Sequence, residues 1–219
     1  MAVALSAQAP QPPVQPPAKD APGPEAKATE AKGMAPRGTP ANYQAQVQVG
    51  KLTIGAEFMR HGIPTAANEL NTEEYVIVEA GFFGAPGSKT TLSVNDFSLR
   101  INGKKAVPSV PYGMVLESTK DPDWEPPELP SEKKGGSGIS TGGGGGGAAD
   151  APPPPPKMPL PLVRAMHLKV QKAAMPEGER VLPVAGLLFF SYRGQSKSIK
   201  SVELIYAGPA GKATLTLQP

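Results

Sequence analysis

The sequence predicts an all-β fold, an immunoglobulin-like antiparallel sandwich with one short helix, set between long disordered segments. Three observations lead there. Short runs rich in Val, Ile, Phe and Tyr recur with period-two alternation and are separated by Gly- and Pro-bearing turns. A single stretch has helical periodicity. Of the 28 Pro among 219 residues, 20 crowd into two places, one of which also holds nine of the 25 Gly, leaving the remainder free to form a core.

Nine Pro fall in residues 1–41, and eleven more lie between Asp121 and Pro161 together with nine Gly. Neither stretch holds enough apolar surface to offset the entropy of ordering it. Residues 1–41 therefore read as a signal-peptide remnant followed by a disordered Pro-rich tail. Residues 42–219 read as one sandwich domain interrupted by a Pro/Gly-rich insertion at about 118–158. The start of the chain ends its short apolar run at Ala7-Gln8-Ala9, which has the form of an A-x-A cleavage site. A secreted or periplasmic location is the expectation.

The first strand signal is Gln46-Val47-Gln48-Val49, resumed by Lys51-Leu52-Thr53-Ile54 after Gly50, which reads as a bulge or bend. Glu74 to Phe83 is so continuously apolar that it reads as a central strand buried on both faces, closing at Gly84-Ala-Pro-Gly87. Asp96 to Ile101 places Phe97, Leu99 and Ile101 on one face, and Asn102-Gly103 predicts a hairpin that folds Lys104 to Val107 back beside it. After the insertion, Leu162, Met166, Val170 and Ala173 share one face of a predicted helix over 162–174, stopped by Pro176. Glu177-Gly178-Glu179 reads as a turn. Strands are expected at Ala185–Tyr192, Ile199–Tyr206 and Lys212–Leu217. Trp124, the sole Trp, reads as an anchor packing back on the domain.

These residues resemble a class of bacterial extracytoplasmic immunoglobulin-like domains found in secreted proteins and lipoproteins, whose function is unknown. The resemblance is carried by Tyr75-Val76-Ile77-Val78, Asp96-Phe97-Ser98-Leu99 with Asn102-Gly103, Pro176-Glu177-Gly178, Leu188-Phe189-Phe190 and Val202-Glu203-Leu204-Ile205-Tyr206. It covers the two folded pieces, departs at Gly81-Phe82 where such domains often have Asn, and transfers no catalytic residue. The chain has no Cys to serve as a lipid acceptor.

The inventory points away from enzyme chemistry. No Cys and two His, His61 and His167, supply no metal set, and no Gly-x-Ser-x-Gly elbow accompanies the available Ser, His and Asp. Gly84-Ala-Pro-Gly87-Ser88-Lys89-Thr90 approaches a phosphate loop but is one residue short and leads into no helix pattern. Asp121, Asp123 and Glu125 alternate with Pro122 and do not make a calcium loop. No cofactor is expected.

Charge is more informative. The net +3 divides into +1 over residues 1–41, zero over 42–116, −4 over 117–156 and +6 over 157–219. The acidic run Asp121, Asp123, Glu125 and Glu128 could neutralise the basic part internally. Otherwise Lys104, Lys105, Arg193, Lys197 and Lys200 are the candidate contacts for an anionic partner, an envelope polymer or a protein. Basic residues beside Tyr192 could form a stacking and phosphate surface, but they read as a solvated loop between two strands and no nucleic-acid partner is expected; no apolar run is long enough to span a bilayer. The expected role is binding or structural at the cell envelope. The alternatives are an assembly subunit that pairs through an edge strand, and an enzyme of unknown class.

Overall fold

The computed structural model describes residues 31–65, 68–127 and 157–219. Thirteen strands are present in these residues: β1 (Ala45–Val49), β2 (Leu52–Arg60), β3 (Gly62–Pro64), β4 (Glu69–Thr72), β5 (Tyr75–Phe83), β6 (Lys89–Leu92), β7 (Phe97–Ile101), β8 (Val107–Val110), β9 (Thr119–Lys120), β10 (Gly178–Val181), β11 (Val184–Ser191), β12 (Val202–Gly208) and β13 (Gly211–Leu217). One helix, α1 (Leu160–Ala173), stands between β9 and β10.

Eight strands form one continuous antiparallel sheet in the order β1-β2-β5-β11-β8-β7-β12-β13. Its two outer strands, β1 and β13, lie beside each other. Gln44 Nε2 donates to Gln218 O across that seam at 3.0 Å. A Cβ at Gly211 would stand 3.0 Å from Val49 Cγ1. The fold is thus all-β, but the main sheet is barrel-like, where the immunoglobulin-like expectation was of two packed layers. The spacing of strands is common to both architectures, and curling one sheet onto itself satisfies the same alternation.

The alternation sorts side chains cleanly on the central strands. On β5, Val76, Val78, Ala80 and Phe82 are buried in the interior cluster with Leu188 and Phe190 of β11. Phe97 sits between Phe82 and Tyr206, with ring centroids 5.8 and 5.2 Å away. The opposite face of β5 and β11 is buried as well: Tyr75, Ile77, Leu187 and Phe189 pack with Ile63, Leu70, Met166 and Val170. The cover there is α1 and a small sheet of β3, β4 and β9, which explains why β5 carries almost no polar residue.

Within α1, Met166, Val170 and Ala173 are buried as their spacing predicts, but Leu162 is 49% exposed. The helix meets the sheet only from its middle onward. Gly50 is not a bulge: with φ 59° it opens a two-residue turn that makes β1 and β2 a hairpin, with Val49 opposite Leu52. The Asn102-Gly103 turn folds the chain back as expected, and pairing resumes with Leu99 opposite Val107. Glu179 belongs to a strand, since β10 pairs with β6 from Gly178 opposite Leu92 to Val181 opposite Lys89.

Domain limits also shift. Residues 31–41, assigned by composition to the disordered lead, lie on the outside of the barrel: Lys32 N donates to Gln171 O, and Met34 N to Ala185 O at 2.8 Å. Arg37 is the reason this segment holds. Its Nε and Nη2 donate to the two oxygens of Glu79, at 3.1 and 2.7 Å, and its Nη1 donates to Glu57 and to Asn42 O. Glu79 is 4% exposed in mid-strand, so a buried carboxylate is matched by a guanidinium brought from the lead. Beside it, the Tyr43 side chain lies on Gly55 and Gly81, which are opposite one another on β2 and β5; a Cβ at Gly55 would come within 2.5 Å of Cδ2 of the ring, and one at Gly81 within 2.3 Å of the hydroxyl. At the other junction the insertion begins later than about 118, because β9 pairs with β4 and residues to 127 lie within the described structure. The reading of Ala7-Gln8-Ala9 and of the Gly and Pro runs falls outside the described residues.

Candidate functional site

The five predicted contacts lie on two loops at one end of the barrel. The first loop leaves β7 through Asn102 and Gly103, both left-handed at φ 52° and 67°, and Lys104 N closes the turn on Ile101 O at 3.0 Å. Asn tolerates that conformation far better than most side chains, and its amide is then free to bond elsewhere. Here it reaches the second loop. Asn102 Nδ2 donates to Ser198 O at 2.8 Å, while Oδ1 accepts from Lys200 N at 2.6 Å and Ser201 N at 3.2 Å. Asn102 N completes the link by donating to Ser201 O at 2.9 Å.

This one residue joins the turn carrying Lys104 and Lys105 to the segment carrying Lys197 and Lys200. Arg193 follows β11 on the same second loop. All five side chains are exposed. Arg193 Nη2 pairs with Glu74 Oε1 at 3.2 Å. Among the described residues, Lys104, Lys105, Lys197 and Lys200 make no ion pair.

Two depressions flank the loop from Ser191 to Lys197. A small one, about 100 Å³, has Leu99, Ile101 and Val107 as its wall and Lys104, Lys105 and Tyr192 at its mouth. The larger, about 710 Å³ and open to solvent, runs between Glu73, His61, Arg193 and Lys197. Tyr192 shares a hydrogen bond with Ser198 Oγ at 2.8 Å, which ties the ring to the turn at Ser196–Ser198. His61 bridges the loop to β5: Nδ1 is 2.7 Å from Tyr75 O and Nε2 is 3.1 Å from Gly194 O.

The acidic run does not cover these cations among the described residues. Asp121 and Asp123 instead accept from Asn68 Nδ2, each at 3.0 Å, and Lys169 Nζ donates to Asn68 Oδ1. Among the described residues the acidic run is thus held beside the small sheet by the neutral amide of Asn68, and no ion pair joins Asp121 or Asp123 to the basic part. Trp124 is half-buried in a cleft of about 540 Å³ with Met158, Val163, Met166 and His167. That is where an anchor on the domain would place it.

Sequence reasoning missed two features. An apolar cleft of about 550 Å³, floored by Leu187 and Phe189 and walled by Val94, Val110 and Met175, is assembled from segments too far apart to be read together. The Arg37, Glu57 and Glu79 cluster did leave a signal, since an acid in the middle of a strand buried on both faces requires a cationic partner. The false phosphate loop is a turn into β6, in which Ser88 Oγ donates to Ala85 O and Lys89 pairs with Glu179. Among the described residues, no three His, Cys, Asp or Glu gather as metal ligands, and no helix is long and apolar enough to cross a membrane.

Compared with protein-family models, curated proteins and solved structures, the chain finds no match.

Proposed function

We propose that the protein is a binding module which holds an anionic polymer, such as those of the bacterial cell envelope, against the basic end of its barrel. The observation that supports this is the Asn102 link, which sets Lys104 and Lys105 beside Lys197 and Lys200 while leaving the four without carboxylate partners among the described residues. Isolated solvated lysines need no such organisation.

A polymer fits better than a folded protein surface. Four of the five cations are Lys, a residue depleted from protein–protein interfaces, and they lie on exposed loops beside depressions open to solvent. A chain of repeating negative charges can contact all of them without burying any, and binding then gains from counterion release. Duplex nucleic acid could satisfy charge alone, so it serves as the comparison probe.

The test is titration of long-chain polyphosphate into wild type and into the variant Lys104→Ala, Lys105→Ala, Lys197→Ala, Lys200→Ala, with duplex DNA in parallel. Loss of at least tenfold in affinity and a shallower salt dependence, by up to about four in slope, are expected for the variant. Equal binding by the variant would remove the proposal. Stronger binding of DNA than of polyphosphate by wild type would move it to nucleic acid. The four side chains are exposed, so thermal melting should be unchanged and serves as the folding control.

A further inference from the structure

We propose that His61 is a proton-dependent latch which, when its imidazole is charged, locks the loop carrying Arg193 and Lys197 against the barrel end; this rests on the reading of that end as an anion-binding surface. The geometry is a two-sided acceptor cage. Nδ1 faces the carbonyl oxygen of Tyr75 at 2.7 Å and Nε2 faces that of Gly194 at 3.1 Å. A carbonyl oxygen only accepts, so each contact needs an N–H on the ring. Neutral imidazole has one N–H and the imidazolium has two. Only the charged ring donates to both, tying the first residue of β5 to the middle of the basic loop.

With the ring neutral, one lone pair is turned towards a carbonyl oxygen, and one of the two links opens. Tyr75 O is the closer acceptor, so the contact that gives way is the one to Gly194. That residue lies between Arg193 and Lys197, where release loosens the placement of two of the five cations. Two other ties on this side of the loop go to Glu74, just before β5: Tyr192 N donates to Glu74 O, and Arg193 pairs with the Glu74 carboxylate. The ring also lies 6.1 Å from that of Tyr192, whose hydroxyl holds Ser198.

The charged groups about the ring come from four elements. Arg60 precedes it at the end of β2, and Glu69 of β4 lies over Gly62. Glu73 and Glu74, between β4 and β5, are engaged by Lys120 and Arg193. Arg193 and Lys197 stand on the far side of the open depression, which also gives protons access from solvent. The ring nitrogens themselves face the two carbonyls, which are the groups that tell its charge states apart.

The latch is read first in the free protein, by hydrogen exchange at the amides of Ser198 and Ile199, which close the turn on Gln195 O and Ser196 O. After correction for the intrinsic pH dependence of exchange, protection should rise about fivefold from pH 8 to pH 5.5 in wild type. It should stay flat in His61→Gln, whose amide does not titrate, and rise as in wild type in His167→Gln. Polyphosphate affinity should rise by a similar factor over the same interval in wild type, beyond any rise in His61→Gln. Protection that does not change with pH, or that changes equally in His61→Gln, overturns the latch. Should His61→Gln fail to fold, wild type decides alone, because loop protection must follow the titration of the His61 ring nitrogens seen by NMR, and a curve that departs from it overturns the latch. Protection that follows the ring while polyphosphate binds at neither pH supports the latch and removes the anion-binding reading instead.

Discussion

Removal of the Arg37 side chain tests the idea that the lead segment belongs to the folded body. In Arg37→Ala, Glu79 stays buried in mid-strand with 6% of its side chain exposed, and Glu57 stands directly opposite it on β2. Two carboxylates then face each other with no cation between them. Removing one partner of a buried pair costs about 3–5 kcal/mol. The Arg37 side chain is 30% exposed, so water can reach the vacated position and the lower end applies. The guanidinium also lies 4.7 Å from the centre of the Tyr43 ring and donates to Asn42 O, and Ala can make neither interaction. A destabilisation of about 3 kcal/mol follows, which at an m-value of about 2–3 kcal/mol/M lowers the urea midpoint by about 1–1.5 M. The assay is equilibrium urea unfolding at pH 7, followed by circular dichroism. Adding Glu57→Gln and Glu79→Gln to Arg37→Met should restore most of the stability. An Arg37→Ala protein within about 0.5 kcal/mol of wild type would show that residues 31–44 contribute no cohesion, and the account of Glu79 would fall with it.

Gly81→Ala should lower stability by about 1–3 kcal/mol, because the new methyl would stand 2.3 Å from the Tyr43 hydroxyl and 2.6 Å from Cζ of its rigid ring; thermal melting checks this, and an unchanged melting temperature would show that Tyr43 is not seated there. Asn102→Ala should weaken polyphosphate binding although the changed residue carries no charge, and should cost about 1–2 kcal/mol through broken hydrogen bonds and a left-handed backbone that Ala resists. Burial raises the ionisation of Tyr43 and of Tyr206 above the ordinary tyrosine range. The folded state keeps these protons longer than the unfolded chain does, so their contribution is complete below about pH 10 and is lost as pH rises beyond it. Ultraviolet titration should show Tyr43 and Tyr206 ionising late, and ordinary ionisation of both would contradict the packing. Acrylamide should quench Trp124 more slowly than it quenches free tryptophan, as the half-buried ring in its cleft requires.

What can be read from the sequence follows from how local each signal is. The continuous apolar run of β5, the period-two face of β7 and the Met166, Val170, Ala173 stripe of α1 depend on neighbours within a few residues, and they are legible. The Asn102-Gly103 turn is legible for the same reason. Closure of the sheet is not, because it depends on β1 meeting β13, and no periodicity records which strands become neighbours. Strands as short as β3, β4 and β9 carry too few residues to alternate, and they are held by pairing and by the apolar layer beneath α1. In the lead, the Pro content masks Arg37 and outweighs it, and the partners that hold Arg37 and Tyr43 sit far along the chain in β2 and β5. The basic residues stand out by charge alone and share one end of the barrel. The fastening that sets them there is the side-chain amide of Asn102, which in the sequence signals only a turn.

Trp124 and Met158 line the same cleft beside α1, so the residues on either side of the 128–156 stretch stand close together. That proximity lets connectors of very different length join them. The entropic cost of closing such a connector grows only with the logarithm of its length. Shortening the segment to a brief Gly-Ser connector, or splicing in a fluorescent domain, should therefore leave the barrel's melting temperature close to its starting value. The same site offers a natural handle for tethering the protein to a surface while the lysine-bearing loops stay available to a polyanion.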